Sequence, residues 1–227
     1  MTIPTPRLGS SRTTGEISRR MLLGGLTAAG AFAASGAGAL QSGQLTHRGT
    51  PQLTIGPFYP LDRPPEEDPD LTRMMGRPGS ARGTVIEVAG RVLTEARVPV
   101  PAAHIDTWQA NSAGRYHHPS DPSGGAIDPS FQGAALLRSD EQGRYRIRTV
   151  IPGPYGARAR HLHFDVRGRN RRLITQMFFP GEPNAQDNLF RSLQDPTLQR
   201  AVTATLANRT GAGRVPVYEW DIILAGE

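Results

Sequence analysis

The sequence predicts an all-β fold, a sandwich or a barrel, and three observations predict it. Short runs carry strand signals: TVIEVAGRVL at 84–93, AAHIDTWQA at 102–110 and GRYRIRTV at 143–150 with the two-residue period, and LITQMFF at 173–179 as an apolar run. The 26 glycines and 20 prolines punctuate the chain too often for long helices. Helix-start chemistry occurs in one place, DPTLQRAVTATLAN at 195–208, where Asp195 can cap and Pro196 fits the first position. A chain of 227 residues that is 37% hydrophobic fills one sizeable core, so a single folded domain is expected.

In chain order, residues 1–39 read as an export signal. Ser18-Arg19-Arg20 opens a paired-arginine stretch, Met21 to Ala34 is mildly apolar, and Ala37-Gly38-Ala39 offers a small-residue cleavage site. That pattern implies the twin-arginine export machinery and a periplasmic or extracellular location after cleavage. The apolar run is short and weakly hydrophobic beside the roughly 20 residues that cross a bilayer. Residues 40–53 are polar and Gly-rich and are expected to form a flexible lead-in. Residues 54–227 form the folded domain, which begins with a Pro- and acid-rich loop, TIGPFYPLDRPPEEDPDLTR.

Within that domain the strand of residues 143–150 places Tyr145, Ile147 and Thr149 on one face and arginines on the other. Tyr145 therefore reads as a packing residue. Residues 121–132 form a loop of a length suited to a flap over a substrate mouth. Gln176 is a lone amide in an apolar strand and needs a hydrogen-bond partner if buried. VPVYEWDIIL at 215–224 is expected to close the fold as a final strand.

The formal charge is +6, and half of it lies in residues 1–39, where Arg7, Arg12, Arg19 and Arg20 oppose Glu16. All the basic residues are arginine, so the excess reflects composition rather than a nucleic-acid patch, and no nucleic-acid partner is expected. The chain has no cysteine, so neither a disulfide nor a thiolate metal ligand is available.

Chemistry concentrates at IPGPYGARARHLHFDV, residues 151–166. Two residues apart on a strand, His161 and His163 emerge on one face and can share a metal ion. A first-row metal wants further ligands, and the nearby oxygen donors are Tyr155 and, upstream, Tyr116 in NSAGRYHH. A phenol with a pKa of about 10 becomes a ligand only to a strongly acidic ion such as Fe(III). His104, His117 and His118 read as packing or loop residues, Arg160 as a surface residue and Tyr59 as part of a surface turn.

Five segments in order, TIGPFYP (54–60), DTWQANSAGRYHH (106–118), SDEQGRYRIRTVIPGPY (139–155), RARHLHFDV (158–166) and LITQMFFPGEP (173–183), resemble the intradiol ring-cleavage dioxygenases related to protocatechuate and catechol dioxygenases. The resemblance implies an antiparallel β-sandwich with long loops and one short helix near the C-terminus. It also implies non-haem Fe(III) held by Tyr116, Tyr155, His161 and His163, with Tyr155 the ligand that departs when substrate binds. Arg158 would stabilise negative charge on the ring, and Gln176 would orient that arginine or the substrate. The implied reaction opens a catecholic ring between its two hydroxyls with O2, giving a muconate-type diacid. A non-catalytic transthyretin-like sandwich that binds a metal or a small aromatic is the alternative, and it would not need two phenols beside the histidine pair.

Overall fold

The computed structural model describes residues 49–61, 68–210 and 214–227. The export signal at 1–39 and most of the 40–53 lead-in lie outside the described residues. Among the described residues nine strands form two sheets. β1 (Val85–Thr94), β4 (Arg144–Val150), β7 (Thr205–Thr210), β8 (Pro216–Glu219) and β9 (Ile222–Leu224) make one sheet, in the order β4-β1-β8-β7 with β9 also on β1. β2 (His104–Trp108), β3 (Ala134–Arg138), β5 (His161–Arg167) and β6 (Arg172–Phe178) make the other, in the order β3-β2-β5-β6, antiparallel throughout.

The sheets close on an apolar core. Ile86, Val88, Ile147, Ile105, Leu162, Phe164, Val166 and Met177 are all fully buried there. Alternation decides which side chains enter it: Tyr145, Ile147 and Thr149 are buried while Arg144 and Arg146 are exposed, as the period of two requires. Tyr145 is a packing residue, and its hydroxyl donates to the Trp220 carbonyl at 2.6 Å.

Two elements differ from expectation. The closing segment is not one strand, because it breaks at Trp220. The buried Trp220 donates its backbone N–H to Ala89 O and its indole N–H to Ala201 O, both at 2.9 Å. The two halves, β8 and β9, each run parallel to β1, so the sandwich is mixed at that strand. The helix expected over 195–208 ends at Ala201 as α2 (Pro196–Ala201). Its start is as read, with Pro196 in the first turn and the Asp195 side chain accepting from Thr197 N. Beyond it, the Val202 carbonyl and Ala204 N–H bond to Phe178, and Thr205 begins β7. Tertiary hydrogen bonding to β6 overrides local helix preference there. A second short helix, α1 (Asn188–Ser192), follows a 3-10 turn at Asn184–Gln186.

The end of the lead-in is not free. Thr50 N–H donates to Ile223 O, Leu53 N–H to Ile174 O and Thr175 Oγ1 to Pro51 O, at 2.8 to 2.9 Å. Residues 51–53 thus run along β6, the outer strand of its sheet, and satisfy groups that an edge would expose, while Thr50 bonds to β9.

Residue alternation gives β5 two different faces. Leu162, Phe164 and Val166 enter the core, whereas His161, His163 and Asp165 face away from it, yet all six are buried. The outer face is therefore covered by something other than the second sheet. Replacing Tyr145 by phenylalanine should leave the chemistry of that outer face intact but strand the Trp220 carbonyl. The expected loss is about 1–3 kcal/mol of stability, read from the denaturant midpoint with metal content unchanged.

Candidate metal centre

Strand register aligns the first part of the site. Across the four-stranded sheet Trp108 pairs with His163, and His163 with Gln176, so three side chains form a row on the outer face. The Trp108 ring stacks on the His163 imidazole, 11° from parallel with centroids 4.8 Å apart. That contact fixes the imidazole plane.

The two tyrosines arrive on separate loops, and glycines let those loops touch. Gly153 N–H donates to Asn111 O at 2.8 Å. A Cβ on Gly114, whose φ is +76°, would lie 2.3 Å from the Pro154 carbonyl oxygen, an approach that admits no side chain. Asn111 shapes the Tyr116 loop by accepting from Ala113 N and Arg115 N, and Asp121 accepts from Tyr116 N at 2.6 Å. The loop of residues 121–132 is tied to the same place, by Asn111 Nδ2 to Ala126 O and by Arg115 to Ser123 O. On the other loop, Arg160 is half-buried and bridges Pro152 O (2.6 Å) and Glu182 (3.2 Å). It is a tie between loops rather than the surface residue expected.

Four donor atoms converge as a result. The His161 and His163 Nε2 atoms are 3.2 Å apart, Tyr116 Oη is 3.1 Å from His163 Nε2 and 3.5 Å from His161 Nε2, and Tyr155 Oη is 3.5 Å from His161 Nε2. Metal–nitrogen and metal–oxygen bonds of about 2.0–2.2 Å set neighbouring ligand atoms about 3–3.5 Å apart, which is the spacing here. His161 Nδ1 donates to the Ala159 carbonyl at 2.7 Å, so its Nε2 lone pair points at the cluster. Among the described residues no three His, Asp or Glu side chains gather at one point, so a shell built on this histidine pair takes its remaining protein ligands from the phenols.

The electrostatics suit a strongly acidic cation. Burial lowers the His161 pKa to about 4, with Arg158 adding to the effect, and burial followed by His161 and Arg158 pushes His163 well below the usual imidazole value. Both rings are thus neutral and able to donate a lone pair. Burial raises the Tyr116 phenol well above its ordinary value and raises Tyr155 less, because a hydrogen bond from Tyr116 and the charge of Arg158 oppose it. The residues fit Fe(III), a cation acidic enough to remove those phenol protons against the pull of burial.

A second layer holds this cluster. Arg158 donates from Nε to Asp187 (2.8 Å) and from an NH2 nitrogen to Gln176 Oε1 (2.6 Å). Gln176, fully buried, is satisfied at its other end by the Thr54 carbonyl at 3.1 Å. Residues 54–59 form a strap over the site: Gly56 lies against His163, Phe58 stands 4.9 Å from the Tyr116 ring and 6.0 Å from Tyr155, and Tyr59 stands edge-on to Trp108 at 4.8 Å. The Tyr59 hydroxyl donates to Asp106 at 2.8 Å and does not reach the donor cluster.

Of the residues expected at the site, Tyr116, Tyr155, His161, His163, Arg158 and Gln176 are brought together. His104 lies instead at the far end of β2 against Arg138, and the exposed His117 and half-buried His118 contribute no donor to the cluster. Gly56 and Phe58 belong to the GPFY segment that the resemblance places near the active site, and Asp187 was not singled out. An aspartate placed just before Asn188-Leu189-Phe190 is a helix-cap signal that could have identified the last. One hollow of ≈ 1060 Å³ is lined by Arg91, Arg144 and Tyr145 among others and shares no residue with the donors; a smaller one of ≈ 310 Å³ borders Arg158 and Asp187. The chemistry lies beside the smaller.

Comparison with known proteins identifies the family of the chain. A family model described as Dioxygenase matches residues 55–226. The chain is 38% identical over 169 residues to the protocatechuate 3,4-dioxygenase beta chain of Burkholderia cepacia, covering 70% of this chain and 72% of that one. It is 28% identical over 181 residues to catechol 1,2-dioxygenase of Acinetobacter baylyi, covering 69% of this chain but only 54% of that protein's length. Among solved structures, the dioxygenase domain of a carbohydrate-binding fusion from Streptomyces sp. SirexAA-E superposes with a TM-score of 0.60 at 28% identity, over 78% of this chain and 98% of that one. Hydroxyquinol 1,2-dioxygenase from Pseudomonas putida DLL-E4, at 20% identity and TM-score 0.61 over 81% of this chain and 69% of that one, shares the fold.

Gly56 offers a direct test of the strap. A Cβ there would meet His163 Cε1 at 2.9 Å on a residue whose φ is +75°, so Gly56→Ala must displace either the strap or the ligand. Metal retention should fall about 10–100-fold, measured by metal analysis after dialysis against a chelator.

Proposed function

This chain belongs to the intradiol ring-cleavage dioxygenase family, and we propose that it is an Fe(III)-dependent enzyme that opens a catechol-type ring between its two hydroxyls. The observation that carries the reading is the convergence of two phenol oxygens on two imidazole nitrogens in a buried cluster. A carrier of small aromatics has no need of two phenols converging with a pair of neutral imidazoles whose lone pairs face the same point.

Tyr116, Tyr155, His161 and His163 would hold Fe(III), which when bound would supply Lewis acidity toward phenols and a redox-active centre for the reaction with O2. Tyr116 is almost fully buried, on a loop pinned by Asn111 and Asp121, and is suited to remain in place. Tyr155 is half-buried, and its phenol is the less costly of the two to move. It is the side chain we assign to leave and take one of the substrate's two hydroxyl protons. The His161 tautomer is held by the Ala159 carbonyl throughout.

Arg158 supplies the fixed positive charge. Its electrostatic influence reaches both phenols and both imidazoles, so a catecholate dianion and the negative charge that builds on its ring would lie within the same field. Gln176 and Asp187 occupy two of its faces and prevent it from turning to solvent. Trp108 and Phe58 keep water from the ligand rings. Both atoms of O2 end in the two new carboxyl groups of a muconate-type diacid, and the balance needs no other reductant. The export of the folded protein by the twin-arginine machinery belongs to this proposal, since that route would carry a metal already seated.

Protein purified with iron should be red to burgundy from phenolate-to-iron charge transfer. Tyr116→Phe should lose most of the colour and at least about 100-fold in activity, and His161→Ala and His163→Ala should lose iron by metal analysis. Oxygen uptake over catechol, protocatechuate, hydroxyquinol and chlorinated catechols should find a substrate whose product is open between the hydroxyls. Colourless, zinc-loaded and active protein would overturn the assignment.

A further inference from the structure

Asp187 is a carboxylate with no solvent exposure that lies outside the donor cluster and outside the resemblance that identified it. Its two oxygens have separate work. Oδ1 caps α1, accepting from Leu189 N at 2.8 Å and Phe190 N at 3.2 Å. Oδ2 accepts from Arg158 Nε at 2.8 Å and from Ala159 N at 2.9 Å. Arg158 is the charge beside the phenols, and the carbonyl of Ala159 fixes the tautomer of His161. One buried side chain therefore sets both the orientation of the arginine and the residue that orients a metal ligand, and it anchors both to the helix end that follows β6.

We propose that Asp187 is a positioning residue of this site, holding Arg158 and the Ala159–His161 turn in register through Oδ2 while Oδ1 holds α1. The proposal rests on the iron-dioxygenase reading for its effect on turnover, but its effect on metal seating is independent of which substrate is cleaved. A carboxylate suits this place because all four partners are donors and one is a guanidinium. An ionised acceptor satisfies them together, and charge-assisted bonds are the stronger ones. The amide introduced by Asp187→Asn cannot do so: whichever way it turned, its NH2 group would face two N–H donors. The N-cap alone is an insufficient account, since a cap has no need of the second oxygen facing Arg158 and Ala159.

The experiment uses the full-length iron-loaded protein and the variants Asp187→Asn, Arg158→Ala, their double variant, and Asp195→Ala. The last removes the cap of α2, whose side chain accepts from Thr197 N and touches nothing at the site, and so measures the cost of losing a cap by itself. Asp187→Asn should lower kcat about 10–100-fold with a smaller change in KM, and should speed iron loss to a chelator by a similar factor. It should also shift the charge-transfer band and speed hydrogen exchange at the Ala159 amide. In the Arg158→Ala background the kcat penalty of Asp187→Asn should shrink below about threefold, while faster iron loss persists through Ala159. Asp195→Ala should leave kcat, band and iron retention unchanged at a comparable thermal shift. The proposal is overturned if Asp187→Asn keeps wild-type kcat and iron retention. It is equally overturned if Asp195→Ala reproduces the losses, or if the kcat penalty is undiminished without Arg158. Should the parent protein cleave no catechol, the proposed reaction falls, while iron retention and Ala159 exchange still decide the role of Asp187.

Discussion

Four side-chain donors, each within 3.1 to 3.5 Å of at least one of the others and gathered about His161, form the constraint on which this molecule depends. Burial keeps both imidazoles neutral and both phenols protonated, so phenol protons bridge the cluster and only a strongly acidic cation would displace them. The surrounding structure keeps the cluster assembled: Trp108 stacked on one imidazole, the Ala159 carbonyl on the other, and glycines at the crossing of the tyrosine loops. Each of these is a local cost offset by the sandwich behind it.

The division of labour across β5 explains how a small domain bears that cost. Its inner face belongs to the apolar core with Ile86, Ile105 and Ile147, and its outer face carries the ligands. Hydrophobic burial stabilises one side of the strand while the polar chemistry occupies the other, with a single residue separating them at each step. The outer face is kept dry by loops instead of a sheet: the strap of residues 54–59, the Tyr116 and Tyr155 loops, and the 3-10 turn with α1.

Much of this was legible in the chain itself, for reasons specific to each residue. His161 and His163 share a face because a strand allows nothing else, and Tyr145 is internal because its alternation partners are apolar. The meeting of Tyr116 and Tyr155, 39 positions apart, is not a matter of periodicity and was reachable only through the resemblance. The short span of α2 and the break at Trp220 were hidden, because both arise from hydrogen bonds to distant strands: Val202 and Ala204 to Phe178, and Trp220 to Ala89. Asp187 was missed for a related reason. Its local signal announces a helix cap, and nothing in the neighbouring residues discloses that its second oxygen serves an arginine 29 positions earlier.

The docking of residues 50–56 has a consequence for maturation. The wall against His163 and the carbonyl that satisfies Gln176 both come from the stretch directly after the lead-in, and that stretch is fixed to the outer strand of its sheet. Under the proposed export and cleavage, a cut a few positions past the lead-in would remove the wall against His163 and leave Gln176 without its carbonyl partner. Under the proposed iron dependence, metal retention would then double as a proofreading signal for an intact segment of residues 50–56.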